Sequence, residues 1–427
     1  MRGRQHGVLT CLDRMNTMLN TGRWAITAGQ TLLPTGLETE AVLHIEDGVI
    51  TDVASEARGC PTLDAGGRLV LPGMIDLHGD AFERQLMPRP GVHFDTRLAL
   101  ADTDRQLVAN GISTAYHGVT HSWEPGLRSG QSLVAFMEAL DAARPHLVCD
   151  TRLHLRQETF HLEGEADALR WMQEGRIALL AFNDHLHDIL RKLDSASASM
   201  TVLQRTGLDL EALKTLATRV AAREAEVPGA IGRLAAAAVA AGVPMASHDD
   251  TTPALRQWYQ ALSCDISEFP KNLETAQAAR AMDNAVIFGS PNVVRGGSHQ
   301  KNAVSAAAMV AEGLCSVLTS DYYYPAMLQA PFRLVADGAC DFEAAWALVS
   351  SHAADAARLH NRGRLAVGQR ADILLVDAPA AMPARVVLHL IAGQLAHATK
   401  GAPTLRPAAM RAAARAPALA IDSWVEP

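Results

Sequence analysis

The segment Leu71-Pro-Gly-Met-Ile-Asp-Leu-His78-Gly-Asp80 ends an apolar run in a histidine and an aspartate two residues apart. In an extended strand, residues i and i+2 point to the same side. His78 and Asp80 therefore face one point just past the end of a buried strand. Imidazole nitrogen and carboxylate oxygen are ordinary ligands of Zn²⁺ and related cations. Further apolar runs end in residues of the same kind: Glu158, His185, His248 with Asp249 and Asp250, and Asp321. Of these, His78, Asp80, His185 and His248 read as metal ligands. Asp321 ends Leu318-Thr-Ser-Asp, where a carboxylate needs a partner or a task. It reads as a ligand-side carboxylate and as the base that takes a proton from water. Glu158 reads as a carboxylate bridging two ions. Lys192, Lys214, Lys271, Lys301 and Lys400 end no strand, so a carboxylated lysine bridge is not expected. His117, His121 and His154 read as supporting residues. The chemistry implied is hydrolysis at one or two divalent ions, Zn²⁺ first and Mn²⁺ as the alternative.

A second stretch concerns the substrate. Gly289-Ser-Pro-Asn-Val-Val-Arg295-Gly296-Gly297-Ser298 follows an apolar run and precedes an Ala-rich one. Successive glycines allow backbone N–H groups to converge on an anion, and a following helix N-terminus adds its dipole. Arg295 supplies charge, and Arg84 and Arg89, just past the first metal pair, bring two more guanidiniums to the same rim. Arg84, Arg89, Arg295, Gly296, Gly297 and Ser298 are therefore the expected binding residues of a small phosphorylated substrate.

These residues need a scaffold that gathers strand ends. Between residues 71 and 361, apolar strands alternate with Ala-rich amphipathic helices. The strands expected are Leu71–His78, Ser113–Gly118, Thr151–Glu158, Ile177–Asp184, Pro244–Asp249, Leu262–Phe269, Ala285–Asn292 and Cys315–Tyr322. Such a series predicts an α/β fold, a (β/α)₈ TIM-like barrel with its chemistry at the C-terminal strand ends. A doubly wound open sheet is the alternative, but it would carry a Gly-rich nucleotide turn after its first strand. Short alternating runs at 24–70 and 362–400 predict one small β-sandwich domain built from both ends of the chain. Residues 1–23 read as a disordered extension, with Met15 and Met18 as alternative starts, and 401–427 as an Ala/Pro/Arg-rich tail.

Composition narrows the class. The 427 residues are 48% hydrophobic and carry a formal net charge of −8. No basic stretch resembles a nucleic-acid arm, and no apolar run reaches the roughly 18 residues of a membrane span. The cysteines form no C-x-x-C pair, as expected of reduced thiols in a cytoplasmic enzyme. Base rates for soluble enzymes suggest a homo-oligomer.

The strand-end residues, together with Gly368-Gln-Arg-Ala-Asp372, resemble the amidohydrolase superfamily. Leu77-His-Gly-Asp80, Glu83, Pro88-Arg-Pro-Gly91, Ser247-His-Asp-Asp250, Gly289-Ser-Pro-Asn-Val-Val-Arg-Gly-Gly-Ser298 and Ser320-Asp-Tyr322 are similar to its PhnM branch. That branch comprises the α-D-ribose 1-methylphosphonate 5-triphosphate diphosphatases of the carbon–phosphorus lyase pathway. The resemblance covers about Trp24 to Ala396. It implies a metal-dependent hydrolase that releases diphosphate from a ribose 5-triphosphate during phosphonate catabolism. This chain departs from the branch at Arg84-Gln85, after Asn183-Asp-His185, and at His299-Gln-Lys-Asn302. The alternative within the superfamily is a hydrolase or deaminase of a cyclic amide or nucleobase C–N bond.

Overall fold

The computed structural model describes residues 22–193, 196–297 and 304–406. Eight parallel strands lie side by side in chain order. They are β1 (Met74–Gly79), β2 (Ile112–His121), β3 (Asp150–Glu158), β4 (Leu179–Asn183), β5 (Met245–His248), β6 (Ile266–Glu268), β7 (Ala285–Gly289) and β8 (Val317–Thr319). The sheet is brought to closure by a parallel bridge between Gly79 and Asp321. There the Asp321 amide donates to the His78 carbonyl at 2.9 Å, and the Asp80 amide to the Asp321 carbonyl at 3.0 Å. The (β/α)₈ barrel expected from the alternation is the observed fold.

Alternation along each strand separates chemistry from packing. On β3, Leu153 and Leu155 point outward into a large apolar layer with Leu180, Phe182, Met245 and the buried faces of the helices. His154, Arg156 and Glu158 take the opposite, interior side. The register then sets heights: Glu158 pairs with Asn183, and His248 pairs with Glu268.

The two chain ends form sheets of six and five strands. Trp24 and Ile26, Leu43 and Ile45, Ile373 and Leu375, and Leu388 and Leu390 alternate into one apolar core. The sheets are mixed rather than purely antiparallel: Ala25–Thr27 runs parallel to Thr62–Asp64, and Gln30–Thr31 parallel to Leu69–Val70.

Most strand ends shift by a few residues from the sequence expectation, as where Leu262–Phe269 is only Ile266–Glu268, and three differences change the element itself. The run Leu71–His78 is two strands, not one. Leu69–Pro72 pairs with Ile373–Val376 in the six-stranded sheet, and β1 begins at Met74. Gly73 permits the change, because a Cβ there would lie 1.9 Å from the Ser113 hydroxyl. The expected strand Ala285–Asn292 stops at Gly289, where a short helix, Ser290–Val294, takes over. In the expected tail, Leu405 and Arg406 pair with Leu63 and Thr62. The expectation for the N-terminal extension falls on residues outside those described, apart from Gly22 and Arg23. Among the described residues, chain contacts separate one unit, of residues up to 74, 108–113 and from 359 on, from another of 75–107 and 114–358. Among the described residues, no helix is long and apolar enough to cross a membrane.

Candidate metal centre and active site

At the C-terminal ends of the barrel strands lies a cavity of about 300 Å³. His78, Asp80, Arg156, His185, His248, Asp249, Lys271, Asp321 and Tyr322 are among its lining residues. Three of the strands leave the barrel in the same way. Asp249, Phe269 and Asp321, just past β5, β6 and β8, have φ of 63°, 53° and 53°. Each amide still donates to a neighbouring strand's carbonyl, those of Glu268, Ile287 and His78 respectively, at 2.8–2.9 Å. Left-handed backbone at non-glycine residues is uncommon and clusters at functional sites. Here it turns the chain while keeping the strand end pinned.

The deepest part of the site gathers residues from β1, β3, β5 and β6. The Glu268 carboxylate is fully buried. Its Oε1 lies 3.2 Å from His78 Nδ1 and 3.8 Å from His154 Nε2, and its Oε2 lies 3.1 Å from His248 Nδ1. These distances alone would pass for ion pairs. However, burial and the nearby charge of Arg156 push the His78 pKa down to about 3. Burial, against the opposing pull of Glu268, also takes His154 down to about 3. Burial holds His248 well below its ordinary value despite its bond to Glu268. Neutral imidazoles have no charge to pair but do have lone pairs to offer. His154 Nδ1 donates to the Leu77 carbonyl at 3.0 Å, so its Nε2 carries the lone pair. His78 Nδ1, His154 Nε2 and Glu268 Oε1 are all buried and make no hydrogen bond. Buried polar atoms without partners are costly. Of these, His78 and Glu268 stand with His248 in a group whose ligand atoms come close enough together to fit a divalent cation. His78, His248 and Glu268 offer ligand atoms within 4.8 Å of one another, and so do His185, His248 and Asp249.

The second group lies nearer the opening. His185 Nδ1 faces Glu158 Oε1 at 2.5 Å, and the His185 amide donates to Oε2 at 3.1 Å. Against the upward push of burial, the His185 ring and amide hold Glu158 below the usual carboxylate range. Glu158 thus fixes the His185 ring, as carboxylates commonly do for metal-binding histidines. It belongs to neither group of converging ligand atoms among the described residues, where a bridging carboxylate had been expected. Asp321 is raised to about 7, first by burial and then by the negative charge of Asp80. It can therefore exchange a proton near neutrality. Asp76, two residues before His78, takes the Ser320 hydroxyl at 2.5 Å and the Ser320 amide at 3.0 Å, bracing β1 against the end of β8. Asp250 is structural in the same sense: Ser247, Ser267 and the buried Arg256 all donate to it.

The expected substrate residues are placed differently. Arg84 lies over the Tyr322 ring at 5.8 Å, and Arg295 donates to the Tyr322 hydroxyl at 3.2 Å. Both are exposed at the rim, and Arg89 sits in an exposed turn bridged to Val92. Gly297 lines the cavity. The anion cradle expected of Gly296 and Gly297 is not formed by their amides, which donate to Val293 and Asn292 and close the helix Ser290–Val294. Ser298 lies outside the described residues. Among the described residues, the lysine and arginine that line the cavity are Arg156 and Lys271, neither of which had been singled out for the substrate. Glu268 was missed too, although it closes a run already recognised as a strand.

Compared with models of known families, the chain matches none. It is 32% identical over 359 residues to the α-D-ribose 1-methylphosphonate 5-triphosphate diphosphatase of Escherichia coli strain K12. The match covers 79% of this chain and 92% of that one. The chain belongs to this diphosphatase family. Solved structures with the same fold include an amidohydrolase (TM-score 0.57, 15% identity, 87% of this chain and 98% of that one). An enamidase of the amidohydrolase superfamily superimposes with a TM-score of 0.54 at 13% identity, over 90% of this chain and 100% of its own. A dihydropyrimidinase from Brevibacillus agri gives 0.55 at 14%, over 91% and 97%. As a member of the diphosphatase family on the amidohydrolase fold, the chain is a hydrolase. The family resemblance read from the motifs is the family found.

Proposed function

We propose that this hydrolase cleaves the 5-triphosphate of α-D-ribose 1-methylphosphonate 5-triphosphate, releasing diphosphate and leaving the 5-phosphate. The observation that carries the reading is the pairing of converging neutral ligand atoms with a cavity lined by Arg156 and Lys271. A site lined by fixed cations suits an anionic phosphoryl group better than the neutral ring of a cyclic amide. The family relative's printed activity supports the same substrate.

The buried group of His78, His248 and Glu268 would hold a divalent ion, Zn²⁺ or Mn²⁺. Bound there, such an ion acidifies water and polarises a phosphoryl oxygen. The chain's own residues do the rest. Asp321 Oδ accepts a proton from water as oxygen attacks the α-phosphorus. The bond from that phosphorus to the β-bridging oxygen breaks, and diphosphate leaves with the electron pair. Arg156 and Lys271 offset the charge that moves onto the leaving group. Arg84 and Arg295, both on Tyr322, which lines the cavity, would take the far end of the triphosphate. Glu158 holds His185 in one orientation against the cavity.

Incubation of Zn²⁺- or Mn²⁺-loaded protein with the ribose triphosphate, followed by ³¹P NMR, tests the reading. Resonances of diphosphate and of ribose 1-methylphosphonate 5-phosphate should grow together. Orthophosphate alone would mean attack at the terminal phosphorus and a different reaction.

A further inference from the structure

We propose that a second cavity, opening off the metal centre on the β4 side of the barrel, recognises the 1-methylphosphonate end of the substrate. This rests on the reading of the chain as a hydrolase of that ribose triphosphate. It extends the reading from the bond that breaks to the end that does not react.

Such a substrate has two anionic ends. The triphosphate bears several charges. The phosphonate ester bears one, beside a methyl group and the ribose hydroxyls. The structure offers cations in two places, and the barrel order sets them on opposite sides, because β4 and β8 lie four strands apart in a ring of eight. Arg84, Arg295 and Tyr322 follow β1, β7 and β8. The second cavity, of about 610 Å³, is lined by Arg128, which follows β2, and by Lys192 and Arg205, which follow β4. It shares His185, Asp249 and Lys271 with the cavity over the metal centre, so one molecule can reach from one into the other.

The second cavity has a fixed wall. Glu83 accepts from Arg128 Nε and Nη2 at 3.0 Å each. The buried Glu124 accepts from Arg205 Nε and Nη2 at 2.8 Å each. A two-point bond of this kind locks each guanidinium and fixes the direction of its remaining N–H groups. The turn Gly126–Arg128 meets the helix Ala196–Thr206 at a left-handed glycine. Gly126 has φ of 78°, and a Cβ there would collide with the Arg205 carbonyl. That close approach brings both arginines to one wall. Burial pushes the Glu83 carboxyl up, but Arg128 beside it, with Arg156 and Arg205 beyond, holds it below the usual range.

Charge decides which end goes where. Arg128, Arg205 and Lys271 meet Glu83, Glu124 and Asp249. Asp188, also in the wall, meets Arg191. Lys192 meets no carboxylate among the described residues. The cavity thus offers one unmatched cation within a mixed set of donors and acceptors, and Ile189 and Val202 give it an apolar side. That composition matches one phosphonate charge, sugar hydroxyls and a methyl group. At the rim, Arg84 and Arg295 meet Tyr322, and neither meets a carboxylate among the described residues. Two unmatched guanidiniums suit the more highly charged triphosphate.

The test separates the two ends. Metal-loaded protein is given the ribose triphosphate and, separately, methyl α-D-ribofuranoside 5-triphosphate, which keeps the triphosphate but has no charge at C1. Native protein should prefer the phosphonate by about tenfold or more in kcat/KM, the scale of one hydrogen bond to a charged group. Lys192→Gln and Arg205→Lys should bring that ratio toward one. Arg84→Gln and Arg295→Gln should lower both substrates alike and keep the ratio. A native ratio of one, or a ratio kept in Lys192→Gln, would overturn the proposal. Lys192 is exposed, so this variant decides the matter even if Arg205→Lys does not fold. Binding of ribose 1-methylphosphonate, which carries no triphosphate, is read by isothermal titration calorimetry. It should weaken about tenfold in Lys192→Gln. Binding without diphosphate release from the triphosphate would reject the reaction and leave the cavity assigned. No binding to native protein would reject the cavity, whatever becomes of the triphosphate.

Discussion

Asp321 carries the sharpest single-residue claim. Its carboxyl is half-buried, raised to about 7 and fixed by a left-handed backbone at the closure of the barrel. Asp321→Asn keeps shape and volume but cannot take a proton. It should leave metal content near native and lower kcat by about 10² or more, the usual scale for a general base. Near-native turnover would remove Asp321 from the reaction. The strand-end rule brought His78, Asp80, His185, His248 and Asp321 to notice, and the fold sets all five around one cavity. It passed over Glu268 because the apolar run was taken one residue further, to Phe269, so the carboxylate looked internal. Arg156 lies two residues short of its strand end and escapes that rule. It donates to Asp80 Oδ2 at 3.3 Å and lies 3.5 Å from His248 Nε2, contacts from β1 and β5 that no local pattern encodes.

At the scale of the element, closure of the barrel is the vulnerable point. Gly79 on β1 lies so close to the end of β8 that a Cβ would sit 2.8 Å from Asp76 Oδ2 and 3.0 Å from the Ser320 hydroxyl. Gly79→Ala would force apart the contact that places His78 and Asp80 beside Asp321. A loss of about 1–3 kcal/mol is expected, the usual cost of overpacking, read as a lower Tm and reduced metal affinity together. An unchanged Tm would show that the closure tolerates a methyl group. All eight barrel strands were legible, because each is a bounded apolar run between amphipathic helices. Their ends were less so. Nothing in Leu71–His78 marks the change of sheet at Gly73, which is fixed by the close approach of Ser113. The Gly-rich loop was read as an anion cradle, since sequence shows available amides but not the helix turn that consumes them.

At the scale of the molecule, burial of neutral histidines should show in the pH dependence of stability. His117 is taken down to about 4 by burial alone. His121 is also near 4, by burial and the neighbouring His161. His389, held between the Val108 carbonyl and the Ser113 hydroxyl at 2.9 Å each, is near 4 mainly through burial. Each binds its proton less readily folded than unfolded, where the ordinary value is about 6.5. Their contribution is thus complete above pH 6.5 and is lost progressively as pH falls toward 4. The Tm of metal-saturated protein should fall steadily between pH 6.5 and 5, and a flat profile would contradict this account of the buried histidines. The central claim concerns the reacting centre, because this fold also serves enzymes named for C–N chemistry. The most direct test is kcat/KM for the ribose triphosphate and for a cyclic amide such as dihydrouracil, measured on one metal-loaded preparation. The cations lining the cavity lead us to expect diphosphate release with amide hydrolysis at background. Turnover of the amide with none of the triphosphate would contradict the account.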